Sequence, residues 1–179
     1  MSGNPEPCPC ERDSPADAPG PVDDAEAVVR LVPVSAWIAS NGRGGTVLTP
    51  MAFPQDELLG RKGKSVSVLR GMTAADEVER RGGKLNKEPA WAADPVIANA
   101  SVLALRQLLD KEHRRELCVN ADPVEDDCGP CPTHASVLRA SPPLDKTQRV
   151  EWTRLRLELA ARFVEVVHCS GRPVMPLDR

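Results

Sequence analysis

The segment spanning residues 119–139 holds the densest group of reactive side chains in the chain: a Cys-x-x-Cys pair, a histidine and an acidic run. Cys128 and Cys131 have the spacing of a dithiol redox pair. Such a pair requires its first thiol at a helix N-terminus, where the helix dipole lowers the thiol pKa. Here the following residues predict a strand, and Asp126 and Asp127 just upstream would raise a thiol pKa. A redox pair is therefore an alternative and not our preferred interpretation.

The same segment supplies candidate zinc ligands. Cys128, Cys131 and His134 lie within one loop, and Cys118 could complete a tetrahedral site from the preceding strand. A structural zinc site usually draws a second ligand pair from elsewhere in the chain, and His168 with Cys169 could be that pair. We expect no cofactor, with zinc as the alternative. The preferred interpretation is a proline-rich loop whose thiols are small buried side chains.

A second group of polar residues lies on predicted strands. Arg30 interrupts an apolar run, Ser65 and Ser67 alternate with valines, and His134 begins the last of four predicted strands. If the fold brings these side chains around one pocket, they form a candidate catalytic site. The arginine and the Ser-x-Ser pair are similar to the arrangement in ADP-ribosyltransferases, where arginine and serine hold a nicotinamide nucleotide. That resemblance also implies an acidic residue, for which Glu116 is the candidate.

Composition limits the classes of partner. The chain has 179 residues, a formal net charge of −3 with both signs interspersed, and only three Trp, two Phe and no Tyr. These values argue against binding to nucleic acid, because neither a strong positive field nor a set of stacking side chains is present. No apolar run approaches the length of a membrane-spanning helix, and no secretory signal is evident. We therefore expect a cytoplasmic protein with reduced thiols and no membrane contact.

Hydrophobic periodicity predicts an α+β fold. Alternating or β-branched runs predict strands at residues 28–32, 65–69, 116–121 and 134–140. Capping signals and periodicity of about 3.6 residues predict helices at residues 73–81, 94–111 and 146–168. The second helix is expected because Asp94-Pro95 is a typical helix start. The resulting fold is a small mixed sheet of about four strands, covered by two to three helices that include a long C-terminal helix.

Domain bounds follow from composition. Residues 1–24 are rich in Pro, Asp, Glu and Gly and predict a disordered N-terminal tail. Residues 25–170 form a single α+β domain, and residues 171–179 form a short C-terminal tail. Residues 41–64 predict a long loop, of the kind that is often functional.

The chain resembles a group of small bacterial proteins without an assigned function. The shared features are a Val-x-Arg-x-x-Pro strand at residues 28–33, a Phe-containing loop before a Ser-Val strand, and a late Pro-x-His-Ala at residues 132–135. The resemblance spans residues 28–163 and implies no activity. From the absence of a complete catalytic motif we expect an accessory or protein-interaction protein with a protein partner. The alternatives are an enzyme built on Arg30, Ser65 or Ser67 and His134, and a zinc-binding or redox module.

Overall fold

The computed structural model describes residues 14–58, 65–140 and 148–175. These residues contain ten strands and four α-helices. The strands are β1 (Ala27–Val32), β2 (Ile38–Ser40), β3 (Thr46–Leu48), β4 (Val66–Arg70), β5 (Val96–Ser101), β6 (Leu117–Ala121), β7 (Val124–Asp126), β8 (Gly129–Cys131), β9 (His134–Arg139) and β10 (Glu165–His168). The helices are α1 (Gln55–Leu58), α2 (Ala75–Leu85), α3 (Val102–Arg106) and α4 (Arg149–Arg162). No helix within these ranges is both long and apolar enough to cross a membrane.

Six strands form one antiparallel sheet in the order β10-β5-β1-β4-β9-β6. Two small hairpins, β2–β3 and β7–β8, lie outside this sheet. The predicted α+β class and the four predicted strands, which correspond to β1, β4, β6 and β9, are confirmed. The predicted size of about four strands is wrong, because β5 and β10 extend the sheet beyond β1.

The helix predicted at residues 94–111 is wrong over its first half. Residues Val96–Ser101 form β5, which pairs with β1 on one side and β10 on the other. Asp94 does not cap a helix; its carboxylate accepts hydrogen bonds from Ser170 and Arg172 beyond β10. The ladder hydrogen bonds with two neighbouring strands outweigh the local helix signal, and only the short α3 remains helical.

The last predicted helix is correct in its buried face but not in its length. Helix α4 runs from Arg149 to Arg162, and the chain then becomes extended in β10, which pairs with the free edge of β5. Residues 146 and 147 lie outside the described residues. The five side chains predicted to share its apolar face are all buried, but only Trp152, Leu155 and Leu159 lie on α4; Phe163 follows the helix and Val166 lies on β10.

Helix α2 continues through Gly82 and Gly83, where the sequence predicts its end. At Gly82 the lack of a side chain allows the helix to approach Pro95 closely. A Cβ atom there would lie 2.6 Å from the Cβ of Pro95, so glycine is required for the helix to pack against the start of β5. The close approach places the last turn of α2 over one face of the sheet.

The two faces of the sheet are covered differently. On one face, alternate residues of β1, β4 and β5 pack under α4 in the main hydrophobic core. On the other face, Val29, Leu31 and Leu69 contact a smaller cluster that includes Val78 of α2 and Cys131 of β8. The segment around Cys128, predicted as a loop, is thus the β7–β8 hairpin that packs over this second face.

Residues on both sides of the predicted domain boundaries contact the domain. Val22 is buried, and the carbonyl groups of Gly20 and Pro21 accept hydrogen bonds from Arg70. Near the other end, Val174 is buried and its carbonyl accepts a hydrogen bond from Thr46. The rest of the two predicted tails, residues 1–13 and 176–179, lies outside the described residues.

Replacing Phe163 with alanine should lower the free energy of unfolding by about 3–5 kcal/mol. The Phe163 side chain is 1% exposed, and its ring centroid lies 5.3 Å from that of Phe53 in the core. The adjacent Val164 is 80% exposed, so Val164→Ala is a matched control that should change stability by less than about 0.5 kcal/mol. Urea unfolding followed by tryptophan fluorescence measures both variants, and equal losses would contradict the assigned core.

Candidate functional site

The sheet opens between β1 and β4. These strands pair only at Val28 with Arg70 and at Val29 with Leu69, and further along β1 no pairing with β4 continues. The guanidinium of Arg30 lies at the opening. Its Nη1 donates to the Ser67 carbonyl at 2.7 Å, and its Nη2 donates to the Ala52 carbonyl at 3.0 Å. The Arg30 side chain therefore replaces the backbone hydrogen bonds that would join β1 to β4 if the two strands continued to pair.

The charge of Arg30 is compensated inside the protein. Its Nη2 lies 3.1 Å from Oε2 of Glu57, and the guanidinium lies over the Trp37 ring, 4.9 Å from the centroid. Burial lowers the pKa of Arg30 and the Glu57 carboxylate opposes that shift. Because arginine has a very high intrinsic pKa, the group stays charged. The guanidinium is thus a fixed cation between the two strands.

A cavity of about 500 Å³ lies at this opening, on the sheet face that carries α2. Ser67 and Leu69 of β4 and His134 of β9 form its floor. The end of α2 and the turn of the β7–β8 hairpin form one wall, and Trp37 and Glu57 also line the cavity. The volume is within the range that holds a small-molecule ligand.

Ser67 and His134 form a hydrogen-bonded pair on the cavity floor. The Ser67 Oγ lies 2.6 Å from Nε2 of His134, and Nδ1 of His134 lies 2.5 Å from the backbone carbonyl oxygen of Asp122. A carbonyl oxygen only accepts, so Nδ1 carries the proton and Nε2 of the neutral ring is an acceptor. The Ser67 hydroxyl therefore donates to a histidine that is oriented by a third group, which is the arrangement of an activated serine.

The Asp122 carboxylate lies between His134 and the hydroxyl groups of Ser136 and Ser65. Its Oδ2 lies 3.9 Å from Nδ1 of His134 and accepts a hydrogen bond from Ser136. Since Ser136 uses its proton for that bond, Ser65, whose Oγ lies 2.6 Å from Ser136 Oγ, must be the donor to Ser136. The negative charge of Asp122 therefore lies near the histidine while its own acceptor capacity is partly satisfied.

Arg81 fixes the hairpin that forms one wall. This buried side chain forms an ion pair with Glu77 of its own helix, and it donates to Asp126 at 2.7 Å and to the Gly129 carbonyl at 2.8 Å. Lys84, one turn further along α2, donates to the Asp127 carbonyl. The last turns of α2 thereby hold the hairpin turn against the cavity.

The structure brings Arg30, Ser65, Ser67 and His134, the four residues predicted as a site, around this one cavity. It does not bring Glu116 there: Glu116 is 1% exposed and pairs with Arg154, away from the cavity. Sequence reasoning missed the Asp122 carbonyl, Trp37 and Arg81. For the carbonyl no side-chain signal exists. Trp37 was identifiable only as one of three tryptophans, and Arg81 resembles any helical arginine.

The four candidate zinc ligands do not form one site. Cys118 is disulfide-bonded, so its sulfur is not a thiolate ligand, and the expectation that all thiols are reduced is wrong for this residue. Cys128 and Cys131 are free cysteines, and His134 uses both ring nitrogens for the bonds described above. Within residues 14–58, 65–140 and 148–175, no three His, Cys, Asp or Glu side chains are grouped to hold a metal ion.

Comparison of the chain with protein-family models, with curated proteins and with solved structures found no match. The chemistry of the cavity is therefore inferred from its own geometry. The features that bear on it are the oriented histidine, the serine hydroxyl on the floor and the fixed arginine beside that serine.

The free energy of unfolding should decrease as the pH falls below about 6.5, because protonation of His134 is less favourable in the folded chain than in the unfolded chain. Burial lowers the pKa of His134 from its usual 6.5, although the carbonyl and the charge of Asp122, and more weakly Asp126, oppose this shift and Arg81 assists it. At a pH between the pKa of His134 in the folded chain and its pKa in the unfolded chain, the unfolded chain binds a proton that the folded chain does not. The free energy of unfolding therefore rises with pH in this interval, and the contribution of His134 to stability is fully present above pH 6.5.

Urea unfolding at about pH 7.5 and about pH 5.5 measures this contribution. The loss of stability between the two values should be smaller in His134→Gln than in the unchanged protein, because glutamine does not titrate. His113→Gln is a control at an exposed histidine. An identical pH dependence in His134→Gln and the unchanged protein would show that His134 is not held in its neutral form.

Proposed function

We propose that this protein is an enzyme that uses Ser67 as a nucleophile and His134 as its general base, acting on a carbonyl compound bound in the cavity between β1 and β4. One observation carries the proposal. The Ser67 Oγ lies 2.6 Å from the unprotonated nitrogen of a histidine whose other nitrogen is held by the Asp122 carbonyl, and both side chains line a cavity of about 500 Å³.

The reaction would proceed in two steps. The Ser67 oxygen forms a bond to the substrate carbonyl carbon while its proton moves to Nε2 of His134. The bond from that carbon to the leaving group then breaks, and the leaving group takes the proton from the imidazolium. A water molecule then attacks the acyl-Ser67 ester while its proton moves to Nε2 of His134. The bond from the acyl carbon to the Ser67 oxygen breaks, and that oxygen takes the proton from the imidazolium, which releases the acid and restores Ser67 and neutral His134.

The other polar groups of the cavity suit these steps. The lowered pKa of His134 keeps the base unprotonated near neutral pH, and the carbonyl of Asp122 stabilises the proton on Nδ1 throughout. Arg30 lies beside Ser67, with Nη1 2.7 Å from the Ser67 carbonyl oxygen. That hydrogen bond fixes the backbone of Ser67, and with it the position of the Ser67 hydroxyl relative to His134.

Two other functional predictions stay predictions. A role in binding a protein partner rests on the composition and loop pattern of the sequence. An ADP-ribosyltransferase-like reaction would use Arg30, Ser65 and Ser67, which do line the cavity, but the acid expected for it, Glu116, lies outside. The serine–histidine pair is the part of the cavity whose geometry favours a specific reaction, and for that reason we prefer it.

A fluorophosphonate probe tests the proposal directly. Attack by Ser67 forms a phosphorus–oxygen bond, expels fluoride and passes the serine proton to His134, so the labelled protein gains the mass of the probe less that of HF. We expect labelling at Ser67, located by mass spectrometry of the peptides. His134→Ala should reduce the labelling rate by about 10²–10⁴-fold, the usual contribution of a general base.

Ser67→Ala should abolish labelling, and the exposed Ser101, on β5 away from the cavity, supplies the control variant Ser101→Ala, which should label at the normal rate. Circular dichroism verifies that each variant is folded. Folded protein that is not labelled, or that is still labelled after Ser67→Ala, would contradict the assignment of Ser67 as the nucleophile.

A further inference from the structure

The charged groups of the cavity compensate one another. Three cations line it, and each has a partner: Arg30 contacts Glu57, Arg81 contacts Glu77 and Asp126, and Lys84 donates to the Asp127 carbonyl. Three carboxylates, those of Glu57, Asp126 and Asp127, also line it, so the formal charges of the lining cancel when His134 is neutral. Because the lining carries no net charge, a charged substrate would lose hydration without a net electrostatic gain, which is unfavourable.

Apolar side chains surround the nucleophile. Because Val29 is the register partner of Leu69, these two side chains lie on the same sheet face as Ser67, and Leu31 follows on that face of β1. Trp37 and Leu85 add apolar surface to the walls. An acyl group whose carbonyl carbon is at Ser67 Oγ would therefore extend over apolar surface in more than one direction.

We infer that the substrates are uncharged esters with an apolar acyl chain of medium length. The inference rests on the proposed function and adds the class of substrate to it. The serine ester that forms carries the acyl chain, and the alcohol leaves with the proton from His134. Each methylene that moves from water onto the apolar walls should raise kcat/KM by about threefold to fourfold until the cavity of about 500 Å³ is filled.

Hydrolysis of p-nitrophenyl esters by the full chain tests this inference. We expect kcat/KM to increase at least about 100-fold from acetate through butyrate to octanoate, since six methylenes are added. It should then fall for hexadecanoate, whose chain exceeds the cavity. The glutarate monoester, which carries a terminal carboxylate, should react at least about tenfold more slowly than the uncharged valerate ester of the same chain length. Rates with Ser67→Ala are subtracted as background.

Leu85→Ala tests whether the acyl chain contacts the apolar wall of the cavity. Leu85 is 55% exposed, so its truncation should leave the fold intact, but it lines the cavity. The ratio of octanoate to acetate kcat/KM should fall severalfold, because the longer acyl chain loses more apolar contact than the acetyl group. Glu79→Ala, at an exposed position on the same helix, is the matched control and should leave the ratio as it is.

The esters and the fluorophosphonate test the substrate class and the Ser67 nucleophile separately. Ser67-dependent hydrolysis that does not depend on chain length, or that favours the anionic ester, overturns the substrate class and leaves the nucleophile assigned. Labelling of Ser67 by the fluorophosphonate without hydrolysis of any of these esters also overturns the substrate class alone. Failure of the fluorophosphonate to label Ser67 overturns the proposed function and the substrate class with it.

Discussion

The cavity depends on the insertion of the Arg30 guanidinium between β1 and β4. Two antiparallel strands that begin to pair would normally continue, because each unpaired backbone group away from water costs about 1–3 kcal/mol. Here the guanidinium donates to the carbonyl of Ser67 on β4, so this acceptor is satisfied although the strands diverge, and a second hydrogen bond to the Ala52 carbonyl holds the guanidinium in place. Glu57 and the Trp37 ring offset the cost of burying the charge. The sheet can therefore stay open at a defined width.

The covering elements turn this opening into a cavity. Gly82 lets α2 lie close to Pro95, and Arg81, one residue earlier, holds the β7–β8 hairpin through Asp126 and the Gly129 carbonyl. The hairpin leads directly into β9, which begins with His134. The same chain segment thus forms the wall and positions His134, and the backbone carbonyl of Asp122, at the start of that segment, fixes the imidazole.

The polar residues that line the cavity can be picked out from the sequence more readily than the whole fold. Arg30 and His134 are polar residues at buried strand positions, and Ser67 lies on the polar side of an alternating strand, so the sequence itself marks them as candidates. The strand β5 could not be predicted in the same way, since Asp94-Pro95 is a strong local helix signal. Its extended conformation depends on pairing with β1 and β10, which lie far away in sequence. Likewise, nothing local distinguishes β10 from a further turn of α4.

The protonation of His134 is the central claim of this account, and nitrogen-15 NMR of the histidine rings measures it directly. At about pH 7.5 the geometry predicts a neutral ring with the proton on Nδ1 and an unprotonated Nε2, whose nitrogen shift moves when the Ser67 hydroxyl is removed in Ser67→Ala. A ring that is protonated on Nε2, or doubly protonated at that pH, cannot accept the Ser67 proton. That result would contradict the account of Ser67 as an activated nucleophile.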